Sequence, residues 1–465
     1  MDFSYFKDKK ITVLGLGLHG GGVGIVKFLV NQGAKILVTD IKSREKLETS
    51  LQKLKGLDNI EYVLGQHRKE DFLKTDMVIK NPSVHWDNPH VKLALENKIP
   101  VEMDSSLFFK LCKNPIIGIT GTKGKTTTAT LIFEILKTAG RKPVKVGIGQ
   151  TSVLDKLEKL EKDSVIVFEL SSWRLSALKK ERISPKIAVI TNILRDHLNY
   201  YKTMDFYIAD KKNIFLYQKP EDWLVINGND KEMKEIISET KSQLFKFSPK
   251  DSKEDNSVFV ENDAIYLNNG VDIKKVIDIK EIKILGKHNL CNVMAAIGAS
   301  YVFGVKIEEI KKGISNFSGT PHRLEFVREL NGVKYYNDTA ATIPDAAISS
   351  LSCFPGSIIL VAGGEDKGLD FSNFGKEISE KAKKLVLLKG SATDKLINEI
   401  KKNDINGKFG EIPIVDSMEK AVLEAEKMAT KNDVVILSPG AASFGLFLNE
   451  FDRGDKFRES VNSLK

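Results

Sequence analysis

Residues 115–128 read PIIGITGTKGKTTT and join an apolar run, a glycine-rich turn and the start of a helical pattern. Ile116–Ile119 predicts a buried strand, and apolar residues at helical spacing predict a helix from Thr127 to Thr138. Glycines let backbone N–H groups turn towards one anion, the helix N-terminus adds its dipole, and Lys125 adds a full charge. The stretch therefore predicts a phosphate-binding loop.

This loop is a shortened variant, because position 119 is isoleucine where the strict phosphate-loop pattern has glycine. Thr126, the hydroxyl after the lysine, is placed to hold a Mg²⁺ that bridges the phosphates. A glycine-rich turn with a solvated lysine is the alternative, but strand, glycines, Lys-Thr and helix follow in the order that favours nucleotide binding. The candidate loop residues are Gly121, Thr122, Lys123, Gly124, Lys125, Thr126 and Thr127.

The bulk composition is that of a globular protein, with 465 residues, 42% of them hydrophobic and 29% charged. At about 150 residues per domain, this length suggests about three domains. No run of about 18 apolar residues predicts a membrane span, and the N-terminus lacks the apolar core of a signal peptide. The three cysteines follow no metal-binding or redox spacing. The net charge of +9 comes from lysines spread along the chain, without a nucleic-acid motif. We therefore expect a cytoplasmic protein with neither a nucleic-acid partner nor membrane insertion.

A second nucleotide signature lies near the N-terminus, where Gly15-Leu-Gly17-Leu-His-Gly20 matches G-x-G-x-x-G. It stands between a predicted strand, Lys10–Leu14, and a predicted helix, Val23–Asn31. The next strand, Lys35–Thr39, ends in Asp40, twenty residues past the third glycine, where a ribose or base contact is expected. The pattern predicts a Rossmann-like half-domain but does not distinguish NAD, FAD or another pyrophosphate. Further strands are predicted at Asp76–Ile79 and Pro100–Glu102.

Polar residues follow two predicted strands of the middle region. Ser164–Phe168 ends in Glu169, which is placed to approach Mg²⁺ beside the phosphate loop. The alternative interpretation is that Glu169 is an ordinary surface glutamate after a strand. Lys186–Thr191 precedes His197, for which a structural and a functional role are equally open. The residues 207–214 predict an amphipathic helix whose lysines face solvent by default.

Asn289 and Asn292 lie three residues apart near the start of a predicted helix, Val293–Phe303, and so share one of its faces. They are either readers of a purine edge or capping residues. Between residues 223 and 285 the sequence predicts a small β layer beside the parallel sheet. Its strands are Leu224–Asn227, Leu244–Phe247, Val258–Val260, Ala264–Leu267 and Lys283–Leu285.

After a linker at residues 317–323, the C-terminal region reads as βα units. Its strands are Val333–Tyr336, Ser357–Val361, Lys384–Leu388 and Val434–Leu437. The polar loops that follow them fall on one edge of a parallel sheet and predict a second substrate site. We thus expect an α/β protein of three domains: a Rossmann-like domain (1–104), a central P-loop-type mononucleotide-binding sheet with a small β layer (105–319), and a second Rossmann-like domain (320–465).

Six motifs, in this order behind the N-terminal half-domain, resemble the ATP-dependent Mur ligases of peptidoglycan synthesis, over essentially the whole chain. They are GTKGKTT (121–127), ELSSWRL (169–175), DHLNYY (196–201), GKHN (286–289), TPHR (320–323) and NDTAAT (337–342). The ELSS-aromatic-x-L stretch is most like the D-glutamate-adding members; folylpolyglutamate synthases share the ATP core but lack the N-terminal domain. The resemblance implies a cytoplasmic ligase of cell wall biogenesis, cell shape and cell division. Such a ligase uses ATP to add D-glutamate to UDP-MurNAc-L-alanine through an acyl phosphate.

The resemblance also implies roles for matching residues, with Lys125, Glu169, His197 and Lys211 as the catalytic group. The UDP-linked substrate would meet Gly15, Gly17, Leu18, His19, Asp40 and Ser171. Besides the phosphate loop, ATP would meet Asn289, Asn292, His322, Arg323 and Asp338. Glutamate would meet Thr342, Lys367 and Ser443.

Two Mg²⁺ ions are implied as well, one held by Thr126 and Glu169, the other by His197 and Lys211. The lysine would act as a carbamate, because an ammonium is repelled by Mg²⁺ whereas a carbamate presents a carboxylate-like oxygen pair. The substrates would be small molecules and the protein a monomer.

Three departures from the family pattern stand out. Position 340 is alanine where the family often has lysine, and residues 444–446 lack the usual Asp-Gln pair. An asparagine that follows the phosphate-loop helix is replaced within residues 146–150, where Gln150 could substitute for it. Two of these changes lie in the glutamate-receiving domain, so an L-glutamate-adding or other Mur ligase remains an alternative.

Two readings from other classes compete with the ligase. An NAD-dependent oxidoreductase would use residues 15–20 but would leave the phosphate loop, Glu169 and His197 unexplained. A non-catalytic nucleotide-binding module would bind nucleotide without substrate-dependent phosphate release. The intact set Lys125, Thr126, Glu169, His197 and Lys211 argues against such a loss of catalysis.

Overall fold

Three β-sheets, each packed against helices, organise the chain in the computed structural model. The structure describes residues 1–18, 20–148, 152–194, 196, 198–230, 232–250, 253–404 and 407–465, with only the backbone at 198 and 199. The chain divides into two compact units, Met1–Ile279 with Cys291–Ile314, and Lys280–Leu290 with Ser315–Lys465. The first unit contains two of the sheets and the second unit contains the third.

The N-terminal sheet has five parallel strands among the described residues, in the order β3-β2-β1-β4-β5. The strands are β1 Lys10–Leu14, β2 Lys35–Asp40, β3 Ile60–Leu64, β4 Met77–Lys80 and β5 Val101–Glu102. The helices are α1 Gly21–Asn31, α2 Arg44–Gln52, α3 Pro89–Glu96 and α4 Asp104–Leu111. β1 lies at the centre, so the glycine-rich turn that follows it opens between the ends of β2 and β4.

The central sheet has nine strands within the described part of the chain, in the order β14-β13-β12-β11-β10-β9-β6-β8-β7. The strands are β6 Ile116–Thr120, β7 Lys142–Val146, β8 Ser164–Glu169, β9 Ile187–Ile190, β10 Trp223–Asn227, β11 Gln243–Ser248, β12 Ser257–Glu261, β13 Ala264–Asn268 and β14 Ile273–Asp278. The helices are α5 Lys125–Thr138, α6 Ser172–Glu181, α7 Leu198–Tyr201, α8 Met204–Lys212, α9 Met233–Glu239, α10 Lys287–Val302 and α11 Ile307–Asn316. All residues of β6 are buried, as expected for an inner strand covered on both faces.

The small β layer is the far edge of this same sheet. β10, β11 and β12 continue the parallel order, and β13 and β14 then pair antiparallel. The prediction of a strand at Lys283–Leu285 is wrong, because the last strand of this edge is β14, which begins ten residues earlier at Ile273. The sequence of β14 alternates only weakly between lysines and apolar residues, so it did not indicate a strand. Helix α10 begins at Lys287, six residues before the predicted start.

The C-terminal sheet has six strands among the described residues, in the order β15-β16-β20-β17-β18-β19, with β15 as an antiparallel edge. The strands are β15 Glu325–Leu330, β16 Val333–Asn337, β17 Ile358–Gly363, β18 Ala382–Leu388, β19 Ile414–Val415 and β20 Val434–Leu437. The helices are α12 Pro344–Leu351, α13 Ser372–Lys381, α14 Thr393–Asn403, α15 Met418–Met428 and α16 Glu450–Ser463.

The three α/β sheets confirm the predicted fold class, while the domain limits at residues 104 and 319 stay predictions. The sequence analysis missed β3, β7, β14, β15 and β19, which are short, charged or at sheet edges. No helix of the described residues combines the length and the apolar character needed to cross a membrane.

Helix α1 packs so closely on the preceding turn that one of its glycines has no room for a side chain. A Cβ at Gly22 would lie 2.2 Å from the backbone oxygen of Leu16, whereas a Cβ at Gly21 would meet nothing within 4 Å. We expect Gly22→Ala to lower the free energy of unfolding by about 1–3 kcal/mol, since the backbone must shift. Gly21→Ala, the matched control, should be neutral or stabilising by up to about 1 kcal/mol. Urea denaturation measures both, and equal midpoints for the two variants would contradict this packing.

Candidate active site

The phosphate loop lies against its neighbours at two glycines. Gly121 has φ +148° and Gly124, which caps α5, has φ +84°. A Cβ at Gly121 would lie 1.9 Å from Thr191 Oγ1, and one at Gly124 would lie 2.1 Å from Asn292 Oδ1. Both positions therefore require glycine for reasons of space as well as of backbone conformation.

The end of β9 holds this loop in place. Thr191 Oγ1 donates to the Lys123 oxygen at 2.6 Å, and Asn192 Nδ2 donates to the same oxygen at 3.0 Å. Asn192 Oδ1 in turn accepts from the Lys123 N–H at 2.9 Å, and the Thr122 N–H donates to the Asn192 oxygen at 2.9 Å. The loop is thus fixed by side chains of a neighbouring strand before any ligand binds.

Lys125 folds back over the loop that precedes it. Its Nζ donates to the backbone oxygens of Gly121 and Thr122, each at 3.0 Å. Thr126 and Thr127 follow in the first turn of α5 and are half-buried. A cation, the helix N-terminus and turned glycines therefore meet at one place, which is the arrangement that binds phosphate.

Lys211 of α8 lies under the same loop. It is only 2% exposed, its Nζ donates to the Gly121 oxygen at 2.9 Å, and it lies 4.6 Å from the ring centroid of Tyr207. Burial, and then the charge of Lys125, hold the pKa of the Lys211 amine well below its usual range. The expectation that the lysines of this helix face solvent is wrong for Lys211, which is buried against the loop.

Glu169 ends β8 beside the loop, since its register partner on β6 is Ile119. Its Oε2 atom is buried and has no hydrogen-bond partner among the residues that the structure describes. Carboxylate and hydroxyl oxygens are the ligands that Mg²⁺ prefers. An orphaned carboxylate oxygen at the end of the strand beside β6, which leads into the phosphate loop, fits a cation that arrives with the nucleotide.

The described residues contain no group of three or more His, Cys, Asp or Glu side chains that could hold a metal by themselves. His197 lies outside the described residues, as do His19 and Gln150. The structure therefore places Glu169 and Lys211 at the loop and leaves the predictions for those three residues as they stand.

At the N-terminal sheet, Asp40 is turned inward, only 3% exposed. Its Oδ2 accepts from the Gly17 N–H at 3.1 Å, and its Oδ1 accepts from the Lys42 N–H at 2.9 Å. Asp40 thus shapes the glycine-rich turn, and Leu18 of that turn is exposed. Gly15 has φ +91°, and its backbone oxygen accepts a weak hydrogen bond from Asn81 Nδ2 at 3.4 Å.

Ser171 caps helix α6 by accepting from the Arg174 N–H at 3.3 Å. Arg174 reaches back to the buried carboxylate of Asp104, with Nη2 and Oδ2 at 3.0 Å. On helix α10, Asn292 faces Gly124, while Asn289 Nδ2 donates to the Leu285 oxygen at 2.7 Å.

In the second unit, Asp338 is a buried brace. Its Oδ2 accepts from Ser350 Oγ at 2.5 Å and from Ser438 Oγ at 2.9 Å, and its Oδ1 accepts from the Leu324 N–H at 3.1 Å. Burial raises the pKa of its carboxyl to about 6. The Leu324 contact fixes the turn that carries exposed Arg323 and half-buried His322, whose pKa is lowered by burial.

Thr342, Lys367 and Ser443 follow β16, β17 and β20, which are neighbours in the C-terminal sheet. Their three loops therefore leave the same edge, as the sequence predicted for this region. The loops also bind one another: the Gly440 N–H donates to the Ala341 oxygen at 2.9 Å, and the Glu365 N–H donates to the Ala442 oxygen at 3.0 Å. Ser443 is buried and Lys367 is exposed.

Arg453 of α16, which the sequence analysis missed, clamps these loops together. Its side chain is 0% exposed; Nε donates to Thr339 Oγ1 at 2.9 Å, Nη2 to the Thr339 oxygen at 3.0 Å, and Nη1 to the Ala441 oxygen at 3.2 Å. An arginine in a charged helix reads as a surface residue, so nothing in the local sequence indicated this role.

Family models match three successive parts of the chain. They are the Mur ligase MurD-like N-terminal domain at residues 9–102, the Mur ligase middle domain at 119–300, and the Mur ligase glutamate ligase domain at 322–440. The chain belongs to the Mur ligase family. This confirms the resemblance seen in the six motifs.

Curated relatives match the Mur ligase chain over nearly its full length. A UDP-N-acetylmuramoylalanine–D-glutamate ligase of Roseiflexus sp. (strain RS-1) is 39% identical over 98% of this chain and 99% of its own. A protein of the same name from Clostridioides difficile (strain 630) is 39% identical over 99% of both chains.

Solved structures of Mur ligases share the fold. The UDP-N-acetylmuramate-alanine ligase MurC of Thermotoga maritima superposes with a TM-score of 0.60 at 20% identity, over 98% of this chain and 100% of that one. MurF ligase of the same organism, in complex with ADP, gives 0.57 at 17% identity, over 98% and 96%.

The clamp by Arg453 predicts a stability difference between two arginines of α16. Arg453→Met would leave the Thr339 and Ala441 acceptors buried and unpaired, so we expect a loss of about 2–5 kcal/mol in the free energy of unfolding. Arg458→Met, the control, removes a partly exposed ion pair with Glu325 at 3.1 Å and should change it by less than about 1 kcal/mol. Chemical denaturation monitors both. Similar losses in the two variants would show that the clamp adds little.

Proposed function

We propose that this Mur ligase uses ATP to join D-glutamate to the alanine carboxyl of UDP-N-acetylmuramoyl-L-alanine, in the cytoplasm and as a step of peptidoglycan synthesis. The observation that carries the ATP half is the phosphate loop with Lys125 above it and Lys211 and Glu169 beside it. The near full-length relatives of that name support the acceptor and the amino acid.

In this proposal each domain holds one substrate. Residues 1–104 bind the UDP moiety through the turn at Gly15–Gly20, which Asp40 shapes from within, together with Ser171 from the central domain. Residues 105–319 bind ATP through the phosphate loop, Asn289 and Asn292. Residues 320–465 supply His322, Arg323 and Asp338 to the nucleotide and receive glutamate at Thr342, Lys367 and Ser443. All these groups come from one chain, so the proposed site needs no second subunit, and we propose a monomer that acts on small molecules.

The reaction proposed has two steps. The alanine carboxylate takes the γ-phosphoryl group of ATP, which gives ADP and an acyl phosphate. The glutamate amine then attacks the acyl carbon, loses a proton, and phosphate leaves as the amide forms. Lys125 and the loop N–H groups stabilise charge on the transferring group, so positioning and electrostatics supply the catalysis.

Mg²⁺ fits the oxygen groups around the loop and, when bound, would neutralise charge on the phosphates. Thr126 and Glu169 would hold one ion. His197 and Lys211 would hold a second, with the lysine as a carbamate. The lowered pKa of the buried Lys211 amine supports this, because it favours the unprotonated form that adds CO₂, and a carbamate has the oxygen pair that a hard cation needs.

Phosphate release from ATP tests the proposal directly. With UDP-MurNAc-L-alanine present, we expect release on addition of D-glutamate and none without an amino acid. L-glutamate runs in parallel, because the alanine at 340 and the altered residues 444–446 lie in the receiving domain. Release with L-glutamate alone would assign the other amino acid, and release with neither would favour a non-catalytic nucleotide-binding module.

Lys211→Ala should abolish activity, with a loss of about a hundredfold or more, because charge stabilisation at the phosphates is removed. If the carbamate forms, acetate or another short carboxylate should restore part of the rate. Lys212→Ala is the matched control, since the Lys212 side chain points to Glu235 and Glu239 at 2.7 and 2.8 Å. Full activity of Lys211→Ala, or a loss that no carboxylate restores, would count against the carbamate.

A further inference from the structure

A short loop of the N-terminal domain contacts helices of the central domain. We call residues 81–88, which follow β4, the strap. It is fixed from below by Lys80, which is 0% exposed: the Lys80 Nζ donates to the Val84 oxygen at 2.8 Å and lies 4.3 Å from the ring centroid of Trp86. Burial lowers the pKa of Lys80 to about 8, and the carboxylates of Asp104 and Asp210 oppose that shift.

Two strap residues contact central-domain helices. The His85 ring stacks on Tyr200 of α7, with centroids 3.7 Å apart and planes at 20°. Trp86 Nε1 donates to Ser176 Oγ of α6 at 2.8 Å. The strap thus contacts the buried Lys80 of its own domain, and it contacts Tyr200 and Ser176 of the central domain.

Tyr200 leads from this contact to the phosphate loop. Its ring centroid lies 4.8 Å from that of Tyr201, which lies 5.3 Å from that of Tyr207. The Tyr207 hydroxyl is 3.1 Å from Thr122 Oγ1 of the loop, and the same ring carries Lys211 at 4.6 Å. Successive rings therefore connect the strap to the loop without a gap.

The other end of the strap reaches the glycine-rich turn. Asn81 Nδ2 contacts the Gly15 oxygen at 3.4 Å, and Asn81 Oδ1 accepts from the Ser83 N–H at 3.1 Å. The strap thus contacts the turn proposed to bind UDP at one end and carries, four residues later, the His85 ring that meets α7.

We propose that His85 is a positioning residue, whose stack on Tyr200 holds the UDP-binding edge of the N-terminal sheet in register with the phosphate loop. This rests on the proposed function, because the acceptor carboxyl has to meet the nucleotide held by another domain. The stack of the two rings holds the strap against α7 of the central domain. It sits on the side of the acceptor, so its loss affects the acceptor before it affects ATP.

Steady-state kinetics of His85→Ala, His85→Phe and Asp87→Asn test the proposal. For His85→Ala we expect kcat/KM for UDP-MurNAc-L-alanine to fall about three- to tenfold, the range of a stacked aromatic pair. The KM for ATP and the melting temperature should stay at the values of the unaltered protein. His85→Phe keeps the ring stack and should keep the rate. Asp87→Asn removes a carboxylate 3.9 Å from His85 but leaves the stack, and should also keep the rate.

Other outcomes overturn the proposal. Unaltered kinetics in His85→Ala would show that the stack does not position the acceptor. Equal losses for ATP and acceptor, together with a lower melting temperature, would show a structural role only. Absence of phosphate release in the unaltered protein is a different failure, which removes the proposed function and the positioning role that rests on it.

Discussion

The close approach of the phosphate loop to Thr191 and Asn292 is the constraint on which the site depends. Thr191, directly after β9, and Asn292 of α10 leave no room for a side chain at Gly121 or Gly124, and these contacts hold the loop in one conformation. That conformation gathers the Gly121 oxygen between two lysines, with the Lys125 and Lys211 amines at 3.0 and 2.9 Å. Burial, and then the charge of Lys125, hold the pKa of the Lys211 amine well below its usual range. The loop conformation that the two glycines permit thus meets a buried lysine 90 positions after Gly121.

The same topological device recurs in all three sheets. β1 lies between β2 and β4, β6 between β8 and β9, and β20 between β16 and β17, so that in each case loops diverge at the carboxyl edge of a parallel sheet. Ligands bind at such switch points because the diverging loops leave a crevice lined by polar groups and helix N-termini. Three switch points on one chain match a reaction that brings together three substrates.

The sequence predicted the features whose causes are local. The strand β1, the glycine turn and the loop at 121–124 follow from apolar runs and from glycines in sequence, and the structure has them there. Lys211, the inward turn of Asp40 and the Arg453 clamp could not be predicted this way, because each depends on groups that are distant in sequence. The position of the last strand of this sheet was predicted wrongly for a similar reason. The position of β14 is set by its pairing with β13, and its lysines do not show the apolar pattern of a strand.

The buried side chain of Arg453 does not replace the lysine that is missing at position 340. Arg453 bonds to Thr339, the residue before Ala340, but its guanidinium is 0% exposed and binds Thr339 and Ala441. The loops at 338–343, 364–371 and 438–449 carry one basic residue between them, Lys367. Under the proposed function, recognition of a dicarboxylic amino acid on these loops would therefore depend on Lys367, on backbone N–H groups and on hydroxyls such as those of Thr342 and Ser443. In that proposal the change at 340 would alter how the amino acid is held, and it would leave the phosphate loop, which belongs to a different sheet, unchanged.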